Sequence, residues 1–136
     1  MMAHTIRQTV TFRTSPETLF DTYLDSRRHA AVTGRRVKIS RKAGHAFSAF
    51  NGIIRGRNLL IVPTRLIVQA WRAKSWKTSD LDSILILAFT RVRGGARLDL
   101  VHVNVPQHDL RGVREGWRTY YWKPWKASLK KTAREK

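Results

Sequence analysis

The stretch Gly112-Val113-Arg114-Glu115-Gly116-Trp117-Arg118-Thr119-Tyr120-Tyr121-Trp122-Lys123-Pro124-Trp125-Lys126-Ala127-Ser128-Leu129-Lys130-Lys131 decides how this chain folds. Val113, Trp117, Tyr121, Pro124 or Trp125, and Ser128 or Leu129 recur at helical spacing, with Arg114, Arg118, Lys126 and Lys130 largely opposite. That spacing predicts one long amphipathic helix over 112–131. Pro124 is expected to bend it, because its ring lacks the N–H that would donate to the preceding turn. A helix carrying so many aromatic side chains has to bury them against a broad apolar surface.

Upstream of the helix the apolar period changes to two, and the surface is there. Segments 96–105 and 83–91 read as strands joined at Gly94-Gly95, and the polar loop 73–82 precedes them. Strand 65–72 follows a break at Pro63-Thr64, and strand 53–62 carries Gly56 in its middle, the sign of a bulge or a close backbone approach. Asn51-Gly52 is the strongest hairpin signal and links 53–62 to strand 45–50. Lys42-Ala43-Gly44 is a turn, and Val37 and Ile39 make a short strand before it.

The first segments differ. Residues 5–13 alternate, with Ile6, Val10 and Phe12 in one parity, as a strand does. Ser15 can cap a helix that Pro16 and Glu17 begin, and Leu19, Phe20, Tyr23 and Leu24 extend it to 24. Asp25-Ser26 opens a second short helix that ends before Gly34. Strand, two helices, antiparallel meander and long helix form an α+β helix-grip fold, a curved sheet wrapped around the last helix, in one domain over 1–136.

Several blocks resemble a known family. Gly44-His45-Ala46-Phe47-Ser48 followed by Asn51-Gly52-Ile53-Ile54-Arg55-Gly56 looks like its Gly-x-x-Phe strand, turn and glycine-bearing strand. Val62-Pro63-Thr64-Arg65-Leu66-Ile67-Val68-Gln69-Ala70-Trp71-Arg72 resembles its proline break and Trp-Arg strand end. Gly95–Pro106 is similar to its penultimate strand, 116–124 to its helix, and Ser15-Pro16-Glu17 to its first helix start. The family is that of activators of heat shock protein 90 ATPase homologues, within the START/SRPBCC, birch-pollen-allergen-like superfamily. The resemblance implies the helix-grip fold, a cavity between sheet and helix, and an interaction with the ninety-kilodalton heat-shock chaperone. Established activators carry a further N-terminal domain, whereas this chain begins at the first strand. Direct ATPase activation is therefore not expected, and weak chaperone binding stays an open alternative.

Composition sets the remaining bounds. The chain has 136 residues, enough for one buried core, and 42% hydrophobic residues, against disorder. It has no cysteine, which excludes disulfides, thiolate metal sites and cysteine nucleophiles and fits a reducing compartment. No signal-peptide pattern or membrane-length apolar run is present, so the expected location is the cytoplasm. Twenty-seven Lys and Arg against 9 Asp and Glu give a net charge of +18. No acidic residue falls between Asp25 and Asp80. Such a field attracts polyanions non-specifically and in a salt-dependent way.

Four functions fit these observations. The first is a hydrophobic or amphipathic ligand, a small molecule or lipid, held between sheet and helix. Strand parity points Leu85, Leu87, Phe89, Leu98, Leu100 and His102 inward, and Phe47, Trp71, Trp117, Tyr121 and Trp125 add aromatic bulk. Against this, aromatic residues usually just fill a core, and a lone His102 on an apolar face is usually a hydrogen-bonded core residue. The second is binding of a chaperone or another acidic protein. The third is RNA or ribosome association, in which Trp71, Trp76, Trp122 and Trp125, interleaved with Arg72, Lys74, Lys77, Lys123 and Lys126, would stack bases. No recognised RNA module supports it. The fourth is an enzyme, but Asp99 lies opposite Leu98 and Leu100 in parity, and no group is paired with His102. No Ser-His-Asp arrangement, phosphate loop or metal-ligand spacing is seen. The reading is a non-enzymatic binding domain with no cofactor and no metal, a monomer or weak dimer.

Overall fold

The structure, a computed structural model, describes the backbone of residues 3–135 and the side chains of 4–129. It is an α+β helix-grip fold. Strands β1 (Ala3–Phe12), β2 (Ala46–Ala49), β3 (Ile54–Val62), β4 (Leu66–Ala73), β5 (Ser83–Val92) and β6 (Gly95–Pro106) form one antiparallel sheet. Its order is β1-β6-β5-β4-β3-β2, so the first strand returns to the sheet beside the last. Helices α1 (Pro16–Leu24) and α2 (Ser26–Thr33) make the crossover between β1 and β2.

Local chemistry fixes the two short helices. Ser15 caps α1 by accepting from the Thr18 N–H at 3.1 Å, with Pro16 in the first turn. Asp25 caps α2 through Arg28 N–H at 2.9 Å, and Gly34 ends it in the left-handed conformation at φ 73°. Leu19, Phe20, Tyr23 and Leu24 of α1 are buried against the sheet. The short strand expected at Val37 and Ile39 is reduced to a single bridge between Lys38 and Ser48. Ser26 Oγ caps that bridge segment instead, accepting from Ile39 N–H and donating to its C=O.

Two irregularities matter. Of the bulge or close approach expected at Gly56, the structure has the close approach, and the register shift of β3 lies at Asn58–Leu60. A Cβ there would lie 1.9 Å from Ala70 O and 2.5 Å from the Phe47 ring. In β6, Asn104 is left-handed at φ 66°, and the register against β1 slips between His4 and Ile6. The slip re-phases the strand, so that Ala96, Leu98, Leu100 and His102 are buried and then Val105 and Pro106.

The last helix is continuous in three parts: α3 (Leu110–Gly116), a π-helical turn (Trp117–Trp122) and α4 (Lys123–Glu135). The widening ends at Trp122, two residues before Pro124, whose missing N–H and ring bulk disfavour ordinary α geometry in the preceding turn. A π turn also changes which side chains share a face. Trp117, Tyr121, Trp122 and Trp125 are all buried, whereas a strict 3.6 period turns Trp122 away. Trp122 stacks between Trp117 at 5.5 Å and Trp125 at 6.1 Å.

Candidate functional site

The helix does not fill the whole concavity. Between its flank and β3–β4 runs a cleft of 340 Å³, open to solvent at one side. Phe50, Ile54 and Trp71 form one wall, and Val113, Trp117 and Tyr121 the other. The gap exists because Gly112 and Gly116, four residues apart on the helix, bring no side chains to it. A Cβ added at Gly116 would meet nothing closer than Tyr120 Cδ2 at 3.7 Å. At the mouth Ile53 is 55% exposed and Tyr120 50%, so the apolar lining continues onto the surface.

The turn that carries Phe50 is strained and stitched. Phe50 and Asn51 both have positive φ, at 51° and 58°. Asn51 Oδ1 accepts from Arg36 N–H at 2.8 Å, and Asn51 N–H donates to Arg36 O at 3.1 Å. These bonds hold the segment after α2 beside the turn and place Arg35 at the cleft's rim. Phe50 in turn packs against Tyr120 and Tyr121 at 5.5 and 5.6 Å.

Behind the walls lie two fully satisfied polar networks. Trp117 Nε1–H donates to His102 Nδ1 at 3.1 Å, so His102 carries its proton on Nε2. That proton goes to Ser83 Oγ at 2.8 Å, whose hydroxyl donates to Trp71 O at 2.7 Å. His29 Nδ1–H donates to Tyr23 O, and its Nε2 accepts from Tyr121 O–H, both at 2.8 Å. Tyr23 O–H continues through Gln69 to Asn58. Burial pushes His102 down to about 3 and His29 down to about 4, so both are neutral at pH 7. The same burial raises the Tyr23 and Tyr121 hydroxyls above the ordinary tyrosine range. These groups hold walls in place, and their donors and acceptors are already engaged.

Asp109 is the acidic residue in the cleft lining, and it adjoins a polar network outside the cleft. Asp109 accepts from Trp76 Nε1–H at 2.7 Å, and Asp80 pairs with His108 at 2.8 Å. Arg72 ties the loop 73–82 by donating to Asp80 O, Lys77 O and Asp82 Oδ1. Among the described residues no group of His, Cys, Asp or Glu could hold a metal ion.

Of the residues expected to line a ligand site, Trp71, Trp117 and Tyr121 stand around the cleft. Leu85, Leu87, Leu98, Leu100 and His102 are packed solid at 0–1% exposure, because α1 and the π turn cover the β5–β6 part of the sheet. Phe89 packs edge-on to Phe20, Phe47 lies across Gly56, and Trp125 sits against Phe12 and Trp122. Phe50, Ile53, Ile54, Val113 and Tyr120 were not expected there. Gly112 and Gly116 are the sequence signal that points to them. Trp71, Trp76, Trp122 and Trp125 are all buried rather than exposed on the surface, Trp71 facing the cleft.

Known proteins share this fold. The HSP90 activator of Plasmodium falciparum superposes with a TM-score of 0.79 at 25% identity, over 86% of this chain and 89% of that one. The Aha1 dimer of Colwellia psychrerythraea has the same fold, with a TM-score of 0.79 at 13% identity over 93% of this chain and 96% of that one. Among curated proteins, the human "Activator of 90 kDa heat shock protein ATPase homolog 1" is 30% identical over 111 residues, 82% of this chain and 32% of its own length. This chain thus spans about a third of that relative. Residues 13–130 match the model of the Activator of Hsp90 ATPase homolog 1-like proteins, and the chain belongs to that family.

Proposed function

We propose that this domain is a non-enzymatic binding protein that holds a small apolar or amphipathic molecule in the cleft between β3–β4 and the C-terminal helix. One observation carries the reading: the cleft's apolar walls run unbroken to an exposed mouth at Ile53 and Tyr120. Leaving such a surface wet costs about 25 cal/mol per Å², which an occupant recovers. The volume lies at the small end of the ~300–1,000 Å³ usual for ligand pockets. A single medium-length chain or a fused aromatic ring suits it better than a two-chain lipid. Arg35 at the rim has no ion pair among the described residues and would meet a polar or anionic end.

Gly116→Leu tests this. The backbone there is ordinary helix, so the leucine adds helix propensity while filling the space. Decanoate and decanol binding, followed by calorimetry, should be lost in the variant while its melting temperature holds or rises. Unchanged binding in a folded variant would place the ligand elsewhere.

A second reading has its own support. The family, the human relative's name and the +18 charge favour docking to an acidic chaperone surface. Direct binding of this chain to the purified chaperone, abolished by high salt, would support it.

A further inference from the structure

The other flank of the same helix leaves a different opening. A groove of 580 Å³ runs there, lined by Arg7, Gln8, Thr9, Val10 and Thr11 of β1 and by Arg118, Trp122, Lys123 and Lys126 of the helix. Consecutive strand residues point to opposite faces, so a surface that touches five in a row follows the strand's edge. That edge is free. β1 ends the sheet and pairs only with β6, and among the described residues no backbone hydrogen bond reaches its other side. It is ten residues long, without proline, where natural edges are commonly short or broken.

We propose that this edge is a docking groove for an extended acidic peptide, which adds to the six-stranded sheet as a further antiparallel or parallel strand. Backbone pairing along β1 gives the affinity, and the cations select the sequence. Arg7, Arg118, Lys123 and Lys126 form no ion pair among the described residues, while most of the acidic residues are already paired elsewhere. From Arg118 to Lys126 a plain α-helix rises about 12 Å at ~1.5 Å per residue, and the π turn shortens this span somewhat. Two alternate-residue steps of extended chain cover about 13 Å. Carboxylates at positions i, i+2 and i+4 of the peptide therefore span a length similar to that of the three helix cations that line the groove.

The groove is also preformed. Trp122 Nε1–H donates to Gln8 Oε1 at 2.6 Å, and Gln8 Nε2–H donates to Arg114 O at 3.0 Å. These bonds fix the distance between strand and helix, so little ordering remains on binding. Nucleic acid fits less well, because Trp122 is only 5% exposed and already stacks with Trp117 and Trp125. A second copy of this chain would bring another +18 to the same place. The groove and the apolar cleft lie on opposite flanks of the helix, so either site can stand without the other.

The test is fluorescence anisotropy at physiological salt with the full chain and a labelled twelve-residue peptide alternating Glu and Thr. A Glu-Pro alternating peptide of equal charge cannot pair as a strand, and it should bind about tenfold more weakly or worse. Lys123→Glu/Lys126→Glu should lose a similar factor. Arg55→Glu/Arg65→Glu, at the far end of the sheet with the same charge change, should stay within about threefold of wild type. Amide exchange of residues 7–11 should slow on saturation, a readout that needs no variant. Equal binding of the Glu-Pro peptide, equal loss in the distant variant, or unchanged exchange at 7–11 overturns the proposal. So does an RNA of equal charge that binds more tightly through the same lysines.

Discussion

Acid should destabilise this domain through two histidines, and the size of the effect follows from their surroundings. His29 and His102 are 3% and 0% exposed, each already using both ring nitrogens. Their ordinary value of 6.5 falls to about 4 for His29 and about 3 for His102, because burial penalises the charged ring. Between pH 6.5 and about 4.5 the unfolded chain takes up a proton on each, and the folded protein stays largely neutral at both. The unfolded state binds more protons, so stability must rise with pH across this window and fall on acidification. Each proton contributes about 1.4 kcal/mol per pH unit, so the two together give a slope of ~2.7 kcal/mol. From pH 6 to 4.5 the loss is roughly 4 kcal/mol, against a total stability of about 5–15 kcal/mol for a domain of this kind. At a urea m-value of ~2 kcal/mol/M, the midpoint drops by about 2 M. Below pH 4 the loss continues through His102. Asp25 and Asp80 then add to it, since the Arg28 N–H and the His108 ring respectively hold them below the usual carboxylate range. Tryptophan fluorescence during urea titration, at fixed ionic strength and half-unit pH steps, reads the effect. His102→Gln and His29→Gln should each be weaker at pH 7 yet show half the slope. A midpoint that stays flat from pH 6.5 to 4.5, or a full slope in both variants, would refute the reasoning.

Three further outcomes follow from the packing. Trp71→Ala and Trp117→Ala should each cost about 3–5 kcal/mol in urea unfolding, as each empties an aromatic site in the core, and wild-type stability in either would contradict its placement. Gly56→Ala should prevent folding or lower the melting temperature by more than 10 °C by ~3 kcal/mol or more, since the clash is with the Ala70 carbonyl and not with a mobile side chain. Ser83→Ala should cost about 1–3 kcal/mol, because it strands the His102 Nε2–H and removes a bond to Trp71 O, and a neutral result in thermal melts would mean the histidine has another partner.

Most of the fold was legible because its signals are local. The Ser15 cap, the Gly34 stop and the alternation of β4, β5 and β6 each appear within a few residues, and the helix-grip order follows from them. The cleft was harder. Parity says which side of a strand faces inward, yet not which part of that face the crossover helices will cover. Leu85, Leu87, Leu98 and Leu100 point inward as expected, and α1 and the π turn then bury them. Trp122 escaped for a different reason, since a π turn breaks the period on which the helix reading rested. Phe50 and Ile53 depend on a left-handed pair at 50–51, where a plain hairpin turn was expected at 51–52. The close approach at Gly56 was visible from the glycine itself.

The most direct test of the account is an amide NMR titration of the chain with decanol and decanoate at two salt concentrations. The account predicts saturable shifts at Ile53, Ile54, Trp71 and along 112–121, present for both ligands and persisting at high salt, with Arg35 responding to decanoate. Shifts confined to exposed Arg and Lys residues that vanish with salt would contradict it, and would leave the cleft as an unoccupied seam between sheet and helix.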